Sequence, residues 1–287
     1  MTLAEHMTAA VRTLTLAGLR ADDGRHDAGV LARWQLGWDL TRWLSERDAP
    51  ASADFADAFD ALIRRRALRE PVAYITGVRE FYGREFRVTP AVLIPRPETE
   101  LVVEEALSAL PTIHRTGPGV VIVDVGTGSG CIAITMALER PDVRVIATDI
   151  SDTALDVARG NARALGVEDR VELVRTSLLP PLDSSVQMIV SNPPYVPERD
   201  RASLAPDVRE FEPVHALFAG EDGLDVIRAL VPAAASALRP GGWLVMEMGA
   251  GQAEAVEELI ERTSGLSLGH VRPDLQGIPR VVVAKAK

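Results

Sequence analysis

A single cysteine, Cys131, stands among 287 residues, so no internal disulfide is available to the chain. No run approaches the roughly 18 uncharged apolar residues that a membrane span requires. The opening stretch MTLAEHMTAAVRTL has no cationic segment followed by an apolar one, so a secretory leader is not expected. The five histidines, His6, His26, His114, His215 and His270, show no metal-ligand spacing, and no metal is expected. Positive charge is also short: the formal net charge is −10, which disfavours a partner held mainly through its phosphates. Internal repeats and low-complexity segments are absent. A soluble, cytoplasmic globular chain is expected, with neither a membrane nor a nucleic acid as its direct partner. Its 47% apolar content and its length suit one large domain and one smaller one.

Up to about residue 70 the sequence is rich in Ala, Leu and Arg and nearly free of β-branched runs, the composition of a small helical bundle. In LARWQLGWDLTRWL the spacing places Leu31, Trp34 and Trp38 on one helical face, expected to be core. The basic run RRRALR, Arg64 to Arg69, sits in a stretch with 10 Arg, no Lys and 11 Asp plus Glu, so a solvated helix face is expected there. From Pro71 the pattern PVAYITGVREFYGREFRVTP predicts a short β-hairpin. Pro97 then suits the first turn of a helix through LVVEEALSAL, with Glu98 and Glu100 at the positive end of its dipole.

From Val120 onward strands and helices alternate. VVIVDVG and VRVIATD are continuous apolar runs of the kind parallel strands make when both faces are covered, and CIAITMALERP between them completes a βαβ unit. Further strands are read in VELVRT, VQMIVSN, GGWLVMEMG and RVVVAKA, with helices between most of them. This alternation predicts a doubly wound α/β sheet, whose ligands bind at the carboxyl ends of the strands.

The first strand ends in DVGTGSG, Asp124 to Gly130. Glycines at 126, 128 and 130 permit a tight turn and close approach of a ligand to the backbone. The following helix would aim its free N–H groups at that ligand. The spacing is not the G-x-G-x-x-G of dinucleotide sites, and no Lys-Ser/Thr follows as in a P-loop. Asp149 ends the second strand nineteen residues after Gly130, where a carboxylate can accept from both hydroxyls of a ribose. A ribose without a pyrophosphate fits S-adenosylmethionine, against a plain strand–helix turn or a nicotinamide cofactor. Cys131 is read as a small buried side chain at the helix start rather than a catalytic thiol.

The fourth strand runs into SNPPYVP. Pro193 and Pro194 have no N–H and fixed φ, so the strand stops and a stiff loop follows. The Asn192 side-chain oxygen and the Pro193 carbonyl can each accept one hydrogen of a planar –NH₂ group, and Tyr195 offers a ring to its plane. Fixing such a weak nucleophile is the main catalytic task, and positioning can contribute about 7 to 11 kcal/mol. No general base is nominated.

The motifs EPVAYITGVREFYG, LIPRPETE, DVGTGSGCIAI, VSNPPYVP, EFEPVHALFAGEDGLDVI and DLQGIPRVVV, in this order and spacing, resemble the protein-(glutamine-N5) methyltransferases of peptide chain release factors, the HemK or PrmC family. The resemblance covers nearly the whole chain. It implies an α/β, seven-stranded Rossmann-like class I methyltransferase domain over 98–287, a β-hairpin linker over 73–97 and a small N-terminal helical-bundle domain over 1–72 that recognises substrate. The implied reaction moves a methyl group from S-adenosyl-L-methionine, leaving S-adenosyl-L-homocysteine, to N5 of the glutamine in the Gly-Gly-Gln motif of class I release factors, by a cytoplasmic monomer. Asn192, Pro193 and Tyr195 are the implied catalytic residues, with Pro194 also on the substrate. The implied cofactor residues are Asp124, Gly126, Thr127, Gly128, Ser129, Gly130, Asp149, Ile150, Ser177, Leu178 and Asn192. Ser177 stands where the family usually has an Asp near the adenine amino group. The alternatives are an adenine-N6 DNA or RNA methyltransferase, which shares the –NH₂ chemistry, and a nucleotide-binding protein without catalysis.

Overall fold

A computed structural model describes residues 1–110, 119–182 and 186–287; His114 lies outside the described residues. The chain divides into two compact units, Met1–Val78 with Ala205–Phe211, and Arg79–Leu204 with Glu212–Lys287.

The first unit is helical: α1 (Leu3–Leu16), α2 (Ala21–Leu36), α3 (Leu40–Glu46), α4 (Ala53–Ala67) and α5 (Val72–Thr76). Thr2 and Glu5 form a reciprocal capping box that starts α1. Leu14, Leu31 and Phe59 are fully buried in its core. The single helix read through LARWQLGWDLTRWL is two. Gly37 takes a left-handed conformation at φ 64° and ends α2, and Asp39 accepts from the Arg42 N–H to cap α3. Trp38 therefore falls between helices, where it still packs half-buried against the core, while Trp34 is 45% exposed and Trp43 is buried. The basic run is not uniformly solvated either. Arg66 is buried and pairs with Asp27 at 2.7 Å and Asp207 at 3.3 Å, the latter on α9 (Pro206–Phe211).

The hairpin is shorter than expected. VAYIT closes into α5, because Pro71 can precede a helix without losing a hydrogen bond. Only β1 (Val78–Phe81) and β2 (Arg84–Arg87) pair. Tyr82 and Gly83 both have positive φ, the tight two-residue turn that matches strand twist.

In the second unit a 3₁₀ turn at Pro97–Thr99 leads into α6 (Glu100–Ala109). There follow β3 (Val120–Val125), α7 (Cys131–Glu139), β4 (Val143–Asp149), α8 (Asp152–Ala164), β5 (Val171–Arg175), β6 (Val186–Ser191), α10 (Val214–Leu217), α11 (Asp225–Ala237), β7 (Leu238–Glu247), α12 (Ala253–Arg262), β8 (Leu266–Pro273) and β9 (Pro279–Ala286). The seven-stranded sheet has the order β5-β4-β3-β6-β7-β9-β8. Strands β3 to β7 run parallel, and β9 is antiparallel to both β7 and β8. Successive residues of β3 and β6 bury alternately: Ile122 and Met188 join one apolar cluster, Val123 and Ile189 the other. For β3 this is the double coverage its continuous apolar run predicts. Strand β8, LSLGHVRP, was not anticipated. Four of its eight residues are glycine, proline or charged-type side chains, which hides any period of two.

The order reverses between β3 and β6. Val125 pairs with Ser191 at their carboxyl ends, so the loops beginning at Gly126 and Asn192 leave the sheet side by side.

Candidate active site

The glycine loop is built tightly onto β4. The Gly126 and Thr127 N–H groups both donate to the Thr148 carbonyl, at 2.9 and 2.8 Å. Gly130 has φ +82°, and a Cβ there would lie 2.7 Å from Ile134 Cδ1 and 3.2 Å from the Ala158 methyl, so only glycine fits. Asn161 of α8 donates to the Ser129 carbonyl at 2.8 Å and bonds both backbone groups of Arg87, bracing the loop from behind.

Asp124 lies beneath this loop, fully buried. Its Oδ2 accepts from Thr127 Oγ1 at 2.6 Å and from the Ala133 N–H at 3.2 Å, while Oδ1 has no partner. Burial pushes its carboxyl up to about 7, against the pull of those two donors. One N–H at the start of α7 is thus met by a carboxylate and is not free for a ligand, contrary to expectation. Cys131 is buried and its thiol is pushed up to about 12 by burial, which keeps it an inert thiol.

Asp149 is 8% exposed at the end of β4. Its Oδ2 accepts from the Gly128 N–H and its Oδ1 from the Ser151 N–H, each at 2.9 Å. Each oxygen keeps a further lone pair. Gly126, Asp149, Ile150, Ser177, Leu178, Asn192, Pro193 and Pro194 line one cavity of about 430 Å³, together with Val125, Ser191, His215, Ala216, Asp225, Val226 and Ala229. Asp124, Thr127, Gly128, Ser129 and Gly130 shape the loop without lining that cavity.

Tyr195 does not line it either. Its hydroxyl donates to Glu247 Oε1 at 2.9 Å, and its ring packs against the second apolar cluster. Burial, and then the Glu247 charge, push the phenol well above its usual range, so it stays a neutral donor. The loop is pinned on its far side by Gln252 Nε2, which donates to the Tyr195 carbonyl at 3.0 Å, and by Gly223, where a Cβ would lie 2.2 Å from that same oxygen. Asn192 Nδ2 donates to Thr99 Oγ1 at 2.9 Å. The sequence reading missed Thr99, Asn161, His215, Asp225, Glu247 and Gln252. For Thr99, His215 and Asp225 the signal was present, since they lie in the LIPRPETE and EFEPVHALFAGEDGLDVI motifs. Among the described residues, no three or more His, Cys, Asp or Glu side chains form a group able to hold a metal ion, and no helix is long and apolar enough to cross a membrane.

Residues 5–77 match the PrmC N-terminal domain and residues 106–207 the methyltransferase small domain. The chain is 43% identical over 285 residues to a release factor glutamine methyltransferase of Cereibacter sphaeroides, covering 99% of each protein. It is 42% identical over 287 residues to one of Koribacter versatilis, again covering 99% of each. Among solved structures, the hMettl16 catalytic domain aligns with a TM-score of 0.57 at 16% identity, covering 77% of this chain and 81% of that one. A methyltransferase from Pyrococcus furiosus aligns with a TM-score of 0.52 at 17% identity, covering 79% and 96%. At such identities these two structures speak to the fold, a class I methyltransferase α/β sheet.

Proposed function

The chain belongs to the release factor glutamine methyltransferases, and from that premise we propose how its cavity serves the reaction. The enzyme transfers a methyl group from S-adenosylmethionine to the side-chain amide nitrogen of a release-factor glutamine. The glutamine is that of the Gly-Gly-Gln motif of class I release factors. The helical residues 1–72 recognise the folded substrate, 73–97 form the linker and 98–287 the catalytic domain. The enzyme acts in the cytoplasm as a monomer, without nucleic acid as a direct partner.

The observation that carries this reading is the shared cavity. Asn192 and Pro193 line the same space as Gly126 and Asp149, so an amide group and a nucleoside ligand can meet there. Its volume lies within the roughly 300–1,000 Å³ of small-molecule sites. The residues present fit S-adenosylmethionine: Asp149 has lone pairs left for ribose hydroxyls, Gly126 has no side chain to hold a ligand off the loop, and Ile150 and Leu178 offer apolar walls. Ser177, exposed on the rim, stands in for the expected Asp at the adenine end. The cofactor supplies an electrophilic methyl group. Asn192 Oδ1 and the Pro193 carbonyl accept the two N–H bonds of the glutamine amide and turn its nitrogen toward that group. Pro193 and Pro194 carry no N–H, so the loop offers acceptors without competing donors. The N–C bond would form as the S–C bond breaks, with S-adenosylhomocysteine as the leaving group, and the nitrogen would then shed its proton to water, so no strong base is needed beside it.

The test is methyl transfer from labelled S-adenosylmethionine to purified release factor and, in parallel, to double-stranded DNA. Label on the release-factor glutamine is expected. Label on adenine and none on the release factor would overturn the reading.

A further inference from the structure

Behind the cavity wall a chain of buried hydrogen-bonded groups reaches the Asn192 amide. Its Nδ2 donates to Thr99 Oγ1 at 2.9 Å; Thr99 Oγ1 donates to Glu247 Oε2 at 2.6 Å; and the Tyr195 hydroxyl donates to Glu247 Oε1 at 2.9 Å. Thr99 is 2% exposed and Glu247 1%. When Glu247 is ionised its carboxylate has acceptors only, and both hydroxyls then turn their hydrogens to it. Thr99 is then left with lone pairs toward Asn192, and only the –NH₂ end of the amide can meet them. The segment carrying Thr99 is itself held, since Glu212 accepts from the Ile94 N–H at 3.1 Å and pairs with Arg96 at 2.5 Å.

We infer that Thr99 and Glu247 are positioning residues for methyl transfer, fixing the Asn192 amide with its oxygen, and not its nitrogen, toward the incoming glutamine amide. This rests on the role proposed above for Asn192. The opposite orientation would set an –NH₂ group against the –NH₂ of the substrate, donor against donor. The direction of the chain depends on the charge of Glu247. Once protonated, Glu247 can donate to Thr99, which can then donate to Asn192 Oδ1 and turn the amide over. Burial pushes the Glu247 carboxyl up, the Thr99 and Tyr195 hydroxyls pull it down, Glu98 pushes it up and Arg280 of β9 pulls it down. Arg96 acts on Tyr195, and Cys131 faces Glu247 as a neutral thiol. An acid limb in the rate is the expected consequence.

Variants of Thr99 and Glu247, read by kinetics and by resonance, test this. Thr99→Val keeps the volume but removes both hydrogen bonds, and kcat should fall about 10- to 100-fold, the scale for loss of a group that orients a reacting one. Thr99→Ser restores the hydroxyl and should stay within about 3-fold of wild type, as should KM and cofactor Kd in either variant. Glu247→Gln cannot titrate, so the acid limb of kcat seen in the wild type should vanish. The second readout needs no substrate: the Asn192 side-chain amide resonance, assigned by its loss in Asn192→Asp, should be rigid in wild type and mobile in Thr99→Val. A near-wild-type kcat in Thr99→Val would overturn the inference, as would equal impairment of Ser and Val or an unaltered Asn192 amide signal. Should Thr99→Val fail to fold, Glu247→Gln decides alone: an acid limb that persists in it overturns the inference. A wild-type enzyme that transfers nothing to release factor would instead refute the functional reading, while the amide resonance still reports on the hydrogen-bond chain.

Discussion

Asp149→Ala separates ligand binding from scaffolding, because the carboxylate serves both. Each oxygen accepts one backbone N–H at 2.9 Å, from Gly128 and Ser151, and the remaining lone pairs are those assigned to the ribose. Losing a hydrogen bond to a charged group costs about 1.5–3 kcal/mol. That corresponds to a roughly 10- to 150-fold rise in cofactor Kd. The two amides lose their acceptor as well. Both belong to partly exposed residues, so water can replace the carboxylate, and the stability cost should stay near the lower bound of about 1–3 kcal/mol for an unsatisfied group. Asp149→Asn keeps the volume but must turn its –NH₂ against one of those two N–H groups, so its stability should fall by a similar amount while one acceptor survives for the ligand. Its Kd should therefore lie between wild type and Ala. The assay is calorimetric titration with S-adenosylmethionine, paired with chemical denaturation of the unliganded protein. A Kd within about twofold of wild type in folded Asp149→Ala, well under the tenfold per 1.4 kcal/mol expected, would remove Asp149 from the site. So would an affinity loss wholly explained by the fraction unfolded.

Asn192→Ala should lower turnover by about 10² to 10³ with little change in cofactor affinity, as for other preorganised polar groups; single-turnover kinetics near the wild-type rate would refute its role. Asp124 titrates near 7 when folded and near 3.9 when unfolded. The folded state thus holds the proton more tightly, and between those values stability falls as pH rises, by up to about 1.4 kcal/mol per unit. Denaturation measured across that range should show the slope in wild type and not in Asp124→Asn, and equal slopes would contradict the assignment. Arg66→Ala strands Asp27 and Asp207 and should destabilise the helical unit by about 3–5 kcal/mol, the cost of breaking a buried pair from one side. Arg66→Met with Asp27→Leu should recover much of that in urea unfolding, and no recovery would mean that packing, not charge, sets the loss.

What the sequence disclosed follows from how local each signal was. The parallel strands were legible because VVIVDV and VQMIV are apolar on both faces, and the glycine loop because Gly130 has no substitute in its surroundings. Asn192, Pro193 and Asp149 were legible as strand-end residues with a chemistry of their own. Thr99 and Glu247 were not, because 148 residues separate them and neither carries a pattern; only the sheet brings the end of β7 against the turn before α6. Trp38 packs on the core as its spacing suggests, but not on the same helix: helical spacing continues across Gly37, while the glycine's left-handed backbone ends the helix. The sequence presents Tyr195 as a ring beside the substrate plane, and the bond from its hydroxyl to Glu247 adds a partner no local reading could name.

A pocket floor made of two acceptors and two prolines also sets what may enter and when it must leave. With Asn192 and Pro193 in the roles proposed, a glutamate side chain would bring lone pairs against lone pairs and be refused, though it differs from glutamine by one atom. The methylated glutamine fares little better. It keeps one N–H where the floor asks for two, so one acceptor goes unanswered. In those roles the same contacts that admit the substrate would loosen their hold on the product, and transfer is expected to stop at a single methyl group.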